Sequence, residues 1–286
     1  MPHSGLSLDL DTGRLYVFLG GLLLFALLET WRPARAWPAD RGQRWRFHLG
    51  VAVFNTVVVR QLAYVPFLLW SVYVDEEGWG ISRWLGLSGW TEILLSIVVL
   101  DAFDYWWHRL NHRWPWLWRF HKAHHGDTAM DVSTALRFHP GELLLSTVAK
   151  SIWIFVWGPL VVAWFIFEAL VSVCAQFHHS NIDFPDRVEH WLSLFIVTPR
   201  YHAAHHAVDQ NLGNRNFSTI LSVWDRLFGT YAEPAPGGAS TDSPDALGLP
   251  EARELAFSPR AWLTEPFAER NLGVPAQSAT RPTSGS

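Results

Sequence analysis

The sequence predicts an all-α fold: an integral membrane helical bundle of about four to five spans, with a cytoplasmic helical cap carrying a histidine-rich dimetal site. Three observations predict it. Four apolar runs are long enough to cross a bilayer, Lys and Arg alternate between the connecting segments, and every histidine cluster falls at span ends on one side. Composition agrees. Hydrophobic residues make up 49% of the chain, and many of the 18 tryptophans flank apolar runs, where amphipathic rings favour the membrane interface.

The first span is "RLYVFLGGLLLFALLETW" (14–31), which lacks the basic start and small-residue cleavage site of a signal peptide. The second is "FHLGVAVFNTVVVRQLAYVPFLLWSVYV" (47–74), interrupted by Arg60, Gln61 and Pro66. "TEILLSIVVLDAFDYWWHRL" (91–110) is the third. "ELLLSTVAKSIWIFVWGPLVVAWFIFEALVSVCAQF" (142–177) is too long for one ordinary span. Gly158 and Pro159 near its middle predict a helical hairpin. Lys150 and Glu168 lie symmetrically about Pro159, so the hairpin sets them at one depth as an ion pair or as the wall of a polar cavity.

Residues 32–46 and 109–140 are rich in Arg and Lys, whereas 75–89 hold Asp75, Glu76 and Glu77 against Arg83. This bias places the two basic segments in the cytoplasm. The hairpin leaves from that side and returns to it. Apolar runs in this number, with a coherent charge alternation, argue against a soluble all-α protein. The net charge of −4 gives no basic field for nucleic acid, and the single Cys174 excludes a disulfide framework.

Histidine spacing carries the chemistry. His108 and His112 stand one helical turn apart. His121, His124 and His125 are spaced i, i+3, i+4, and His202, His205 and His206 repeat that spacing. Eight imidazoles exceed what one tetrahedral zinc takes and suit two metal ions. His179, His178 and His139 add to the set, the last two less securely. Isolated histidines read differently: His48 as an interfacial residue at a span start, and His190 as a polar-face residue of an interfacial helix. Imidazole suits iron, zinc, copper and nickel alike, so ligand type alone does not name the metal. The clusters hold few carboxylates. Asp101, Asp104 and Asp131 are therefore expected to accept the outer N–H of ligand histidines.

In order, "DAFDYWWHRLNH" (101–112), "LWRFHKAHH" (117–125), "TALRFHPGE" (134–142), "QFHHSNI" (176–182), "VTPRYHAAHH" (197–206) and "NFSTILSVWDRLFGTY" (216–231) resemble the fatty acid hydroxylase/sterol desaturase superfamily. The resemblance runs from about residue 45 to 232. It implies an integral membrane, multi-pass, non-haem di-iron enzyme that uses O2 to hydroxylate, desaturate or otherwise oxidise a lipid C–H bond. It implies two iron ions, with zinc able to replace them on purification. It makes His108, His112, His121, His124, His125, His202, His205 and His206 both the catalytic set and metal ligands, with His179 a further ligand. It leaves the roles of His178 and His139 open. One departure is Ser218, where the family usually has glycine; its effect is expected in a loop rather than at the metals. There is no haem motif, no cysteine cluster and no G-x-G-x-x-G, so electrons come from a separate donor protein.

The expected organisation is an N-terminal span and basic loop (1–46), a catalytic domain (47–232) and a flexible C-terminal tail (233–286), of which "PEARELAFSPRAWLTEPF" can return as a short helix against the cap. The competing readings are a lipid or sterol desaturase with the same dimetal site, a non-catalytic zinc-binding membrane protein, and a metal transporter. A transporter would carry its histidines along a path within the spans rather than at span ends.

Overall fold

The computed structural model describes residues 3–233, 246–249 and 256–268. The first helix, α1 (His3–Trp31), is followed by α2 (Arg41–Val59). A π-helical turn, Arg60–Tyr64, then leads into α3 (Val65–Glu76). The turn has a local cause. Pro66 in the first turn of α3 lacks an N–H, and its ring crowds the carbonyl one turn back, so the helix widens just before it. A single turn, α4 (Ile81–Trp84), precedes the long α5 (Gly89–Arg113).

Next come α6 (Pro115–His125), a 3-10 turn at Val132–Leu136, α7 (Pro140–Trp157) and α8 (Val161–His179). The remaining helices are short: α9 (Asp186–Ser193), α10 (Pro199–His205), α11 (Gln210–Gly213), α12 (Val223–Leu227) and α13 (Pro259–Thr264). Among the described residues there is no strand, only isolated bridges such as Pro33 with Ile182. The protein is all-α.

Three stretches of the described residues are long and apolar enough to cross a membrane: Thr12–Trp31, Arg41–Trp84 and Val161–His179. The outer surface fits that solvent. Leu23, Val53, Leu69, Leu94 and Ile152 are each 61–66% exposed, on helices whose opposite faces are packed. The inward faces form a core of Phe67, Leu100, Ile154, Trp164 and Phe167. Of the expected spans, α5 and α7 are not among the three stretches. They carry Asp101, Asp104, Glu142 and Lys150 on faces turned into the protein, which lowers their mean apolarity.

α7 and α8 form the expected hairpin. Gly158 closes α7 in the left-handed region (φ 71°), with its N–H donating to Ile154 O at 2.8 Å. The new helix start is capped by acids from elsewhere: Leu160 N donates to Glu92 at 3.0 Å and Val161 N to Asp75 at 2.9 Å. Lys150 meets Glu168 across the hairpin at 2.8 Å. The turn is packed so closely on the 79–80 loop that a Cβ at 158 would run into the Trp79 carbonyl oxygen. Gly158→Ala therefore combines a left-handed alanine with a clash, and is expected to lower stability by about 2 kcal/mol or more. Thermal unfolding in detergent, compared with Gly86→Ala at an equally left-handed but uncrowded glycine (φ 68°), isolates the clash.

Two expected domain limits meet the structure differently. The 46/47 limit falls inside α2. In the expected flexible tail, some of the described residues 246–249 and 256–268 are packed. Leu247 is buried with Met130 and Ala203, and Trp262 packs edge-on against Phe47 at 6.4 Å. The other residues of that tail lie outside the described residues.

Candidate metal centre

Four helix ends converge on one face of the bundle. α5 delivers His108 and His112 from its last turns. Trp114, in an extended conformation, then reverses the chain, and Pro115 starts α6, which ends on His121, His124 and His125. α8 ends at His178 and His179, where Ser180 turns extended. α10, capped by Thr198, brings His202, His205 and His206.

The structure brings nine of these histidines into two groups. His108, His112, His121, His125 and His205 form one, and His124, His179, His202 and His206 the other; within each, one nitrogen per ring lies within 4.8 Å of all the others. His125 and His206 join the groups, with rings 4.3 Å apart and nearly parallel.

The nitrogens that converge are Nε2. His112 and His125 approach at 3.1 Å, His121 and His125 at 3.2 Å, His124 and His179 at 3.1 Å, and His179 and His202 at 3.1 Å. The outer nitrogens explain what these atoms carry. Nδ1 of His108 donates to Phe217 O at 2.8 Å, that of His179 to Ala175 O at 2.7 Å, and that of His205 to Arg215 O at 2.7 Å. A carbonyl only accepts, so each proton sits on Nδ1 and each Nε2 is a bare lone pair. Burial holds the imidazoles of His124, His125, His202 and His206 well below their ordinary range, helped by neighbouring histidines, and takes His205 down to about 3. These five rings are neutral near pH 7.

Lone pairs facing one another in a dry interior repel, and the buried Nε2 atoms of His108 and His205 have no protein partner. A cation between them resolves both problems. Nitrogens about 2.0–2.1 Å from one metal stand about 3 Å apart, which is the spacing observed here. The residues fit a pair of metal ions.

Two expected contributors sit elsewhere. His139 caps α7, accepting from Gly141 N at 2.9 Å through Nδ1, while its Nε2 donates to Leu263 O at 3.2 Å. His178 belongs to neither group; its ring lies 4.1 Å from that of His202 and borders the adjoining cavity. His48 is buried rather than interfacial, bonded to Ser133 Oγ at 2.9 Å. His190 is exposed on α9.

The three aspartates expected to receive histidine N–H groups are bonded otherwise. Asp101 accepts from Ile220 N, Leu221 N and Trp224 Nε1 at 2.7–3.1 Å. It therefore ties down the loop whose Phe217 carbonyl holds His108. Asp104 lies 3.6 Å from Lys150, and Asp131 accepts from Arg44 at 2.6 Å. Sequence neighbourhood on a helix misled here, because unpaired backbone N–H groups and cations offered these acids stronger partners.

The carboxylate that does meet a ring of the two groups is Glu142, whose Oε1 lies 2.6 Å from His121 Nδ1. Its only sequence signal is an acid in the first turn of the helix that follows "RFHP". Asp225 is a second omission. It accepts from Phe217 N and Ser218 N at 2.8 Å and from Tyr201 OH at 2.8 Å, locking the 216–218 loop. Among the described non-glycine residues only Asn216 has a positive φ, so Ser218 stands in its loop without backbone strain.

Residues 93–230 match the fatty acid hydroxylase family model. The chain belongs to the fatty acid hydroxylase/sterol desaturase superfamily. An ornithine lipid hydroxylase from Rhizobium tropici is 30% identical over 179 residues, which are 63% of this chain and 51% of that protein. An alkylglycerol monooxygenase from Danio rerio is 33% identical over 154 residues, 51% of this chain and 31% of that protein. A very-long-chain aldehyde decarbonylase from Oryza sativa subsp. indica is 30% identical over 186 residues, 63% of this chain and 70% of that protein. The matches thus span about half of the first relative's length and about a third of the second's. No solved structure matches.

For this superfamily member, Glu142 offers a direct test of the centre. Glu142→Gln keeps the size of the side chain but replaces the charged acceptor at His121. The expected result is a loss of about 10–100-fold in metal affinity, read by chelator competition.

Proposed function

We propose that the chain is a membrane-bound oxygenase that hydroxylates a C–H bond of a lipid at two iron ions held by the nine grouped histidines. The observation that carries this reading is the convergence of nine imidazole nitrogens in two adjoining groups beside a cavity. Bound iron would supply O2 activation. One oxygen atom enters the C–H bond and the other leaves as water, with two electrons from a separate donor protein and two protons from solvent.

The protein's own residues hold the geometry. Carbonyls of Phe217, Ala175 and Arg215 orient three rings, and Glu142 orients a fourth. The near-complete burial of the cluster excludes bulk water. A cavity of about 310 Å³ reaches His108, His121, His124, His179 and His202, which supports a catalytic rather than a closed structural zinc site. The site would face the cytoplasm, since the basic 32–46 segment meets the histidine end through Arg35 and Asn181. Residues 47–232 would form the catalytic unit, to which α1 adds Glu29. Its carboxylate accepts from Val132 N and Asn181 N at 2.9 and 3.0 Å. Desaturation would use the same oxidant and differ in how the lipid is seated.

The test is metal content after expression in zinc-limited, iron-57-enriched medium, with Mössbauer spectroscopy. About two coupled irons per chain is the expected result. One tightly held zinc with iron excluded would overturn the reading.

A further inference from the structure

Exposed apolar residues continue along α5 from Leu94 and Val98 up to Trp106 and Leu110. At Trp106 they meet another part of the chain, because the Phe228 ring lies 4.8 Å away. Leu227 and Val223 on α12 follow, then Phe195 and Trp191 at the end of α9, all exposed; Leu227 and Phe195 are 65% and 68% so. The two elements are joined. Ser222 N donates to Phe195 O at 3.2 Å, and Ser222 Oγ to Ser193 O at 2.7 Å. Glu189 and Ser193 are the buried residues of α9, which leaves Trp191 outermost. An apolar edge of this extent has an occupant.

Asp101 fixes how deep that edge lies. Arg109 stands over the Trp106 ring at 5.1 Å, a cation and an aromatic ring of the kind found where lipid meets water. Asp101 lies five residues before Trp106 on α5, about 7 Å further into the span at the helical rise. It nevertheless accepts from Ile220 N, Leu221 N and Trp224 Nε1. Ile220 and Leu221 belong to the core cluster that holds Leu100 and Phe167. The chain between α9 and α12 therefore reaches down beside the spans. Irregular backbone persists at that depth only when its polar groups are satisfied inside the protein. They are: besides the two bonds to Asp101, Val197 N donates to Ile220 O at 3.0 Å, and Phe217 N and Ser218 N donate to Asp225 at 2.8 Å.

Resting on the membrane bundle alone, and not on the oxygenase reading, we propose that the end of α9 and α12 form a re-entrant element embedded in the leaflet on the histidine side. Phe195, Val223 and Leu227 lie among the lipid chains. Asp101 is the anchor that holds the dipping backbone against α5. The loop so anchored carries the Phe217 carbonyl that orients His108.

Nitroxide labels on the zinc-loaded full chain in nanodiscs test this without turnover. The single Cys174 is first changed to Ser, and labels are placed by Phe195→Cys, Leu227→Cys, Leu94→Cys on α5 and Glu77→Cys in the acidic loop after α3. At 195 and 227 the label should collide more with O2 than with water-soluble chromium oxalate, as at 94, with the order reversed at 77. Access to chromium oxalate at 195 and 227 like that at 77 overturns the proposal, because the edge then faces water. Access to neither reagent also overturns it, because a second copy or another protein then covers the edge. The unmodified chain gives an independent reading that no failure of a variant to fold can affect. Phospholipids with a diazirine on the acyl chain should leave adducts on peptides spanning 186–196 and 220–228. Adducts confined to α1, α2, α3, α5, α7 and α8 overturn the proposal.

Discussion

Replacing His121 with alanine is expected to abolish O2-dependent lipid oxidation. His121 spans the centre in a way no other ring does. Its Nε2 lies 3.2 Å from His125 Nε2, and its Nδ1 is held by Glu142 at 2.6 Å. Alanine removes one of five converging nitrogens and also strands the buried Glu142 carboxylate beside four remaining rings. Losing a ligand and exposing an uncompensated buried charge act in the same direction. The measurement is product by mass spectrometry, paired with iron per chain. His108→Ala and His205→Ala, in the same group, should behave alike. His190→Ala, on the exposed face of α9, should retain activity. Full activity in His121→Ala would falsify the proposed site.

The second large effect is expected at a residue outside both histidine groups. Arg44, fully buried on α2, donates a bidentate pair of hydrogen bonds to Asp127 through Nε and Nη2 at 3.0 and 2.8 Å, and donates to Asp131 through Nη1 at 2.6 Å. Burial would raise the Asp127 carboxyl, but the Arg44 charge overrides it and holds that carboxyl well below the usual carboxylate range. Arg44→Met leaves two buried carboxylates without their cation, a change that costs about 3–5 kcal/mol. Asp127 follows His125 by two residues, so the damage should reach the metal centre. The expected outcome is a lower unfolding midpoint and iron loss at temperatures where the native protein keeps it. Arg44→Lys should recover only part, because an ammonium cannot grip both oxygens of Asp127 in the planar fork.

Local periodicity made the histidine groups legible. Spacings of three and four residues place His121, His124 and His125 on one helix face whatever the rest of the fold does. The hairpin was legible too, because Gly158 and Pro159 can hardly continue a helix, and the placement of Lys150 opposite Glu168 followed from it. The partners of the rings were not. Glu29 reaches Asn181, Arg44 reaches Asp127, and Asp101 reaches Trp224 across long stretches of chain that carry no repeating pattern. The misassigned aspartates show the limit clearly. Asp101 and Asp104 are near His108 in sequence, yet their partners are a loop more than a hundred residues away and a lysine on α7. Side-chain direction is set by which unpaired donors tertiary packing brings within reach, and those donors are invisible until the chain is folded.

The carbonyl partners of the rings also bear on how this protein can vary over evolutionary time. His108, His179 and His205 lean on the main chain of residues 217, 175 and 215. Every amino acid has a carbonyl, so genetic drift at those positions leaves the supports in place as long as the backbone keeps its path. His121 alone among these four depends on the identity of a partner side chain. Tolerance to mutation around the centre is therefore uneven, and position 142 is where inherited change has the most direct route to retuning it.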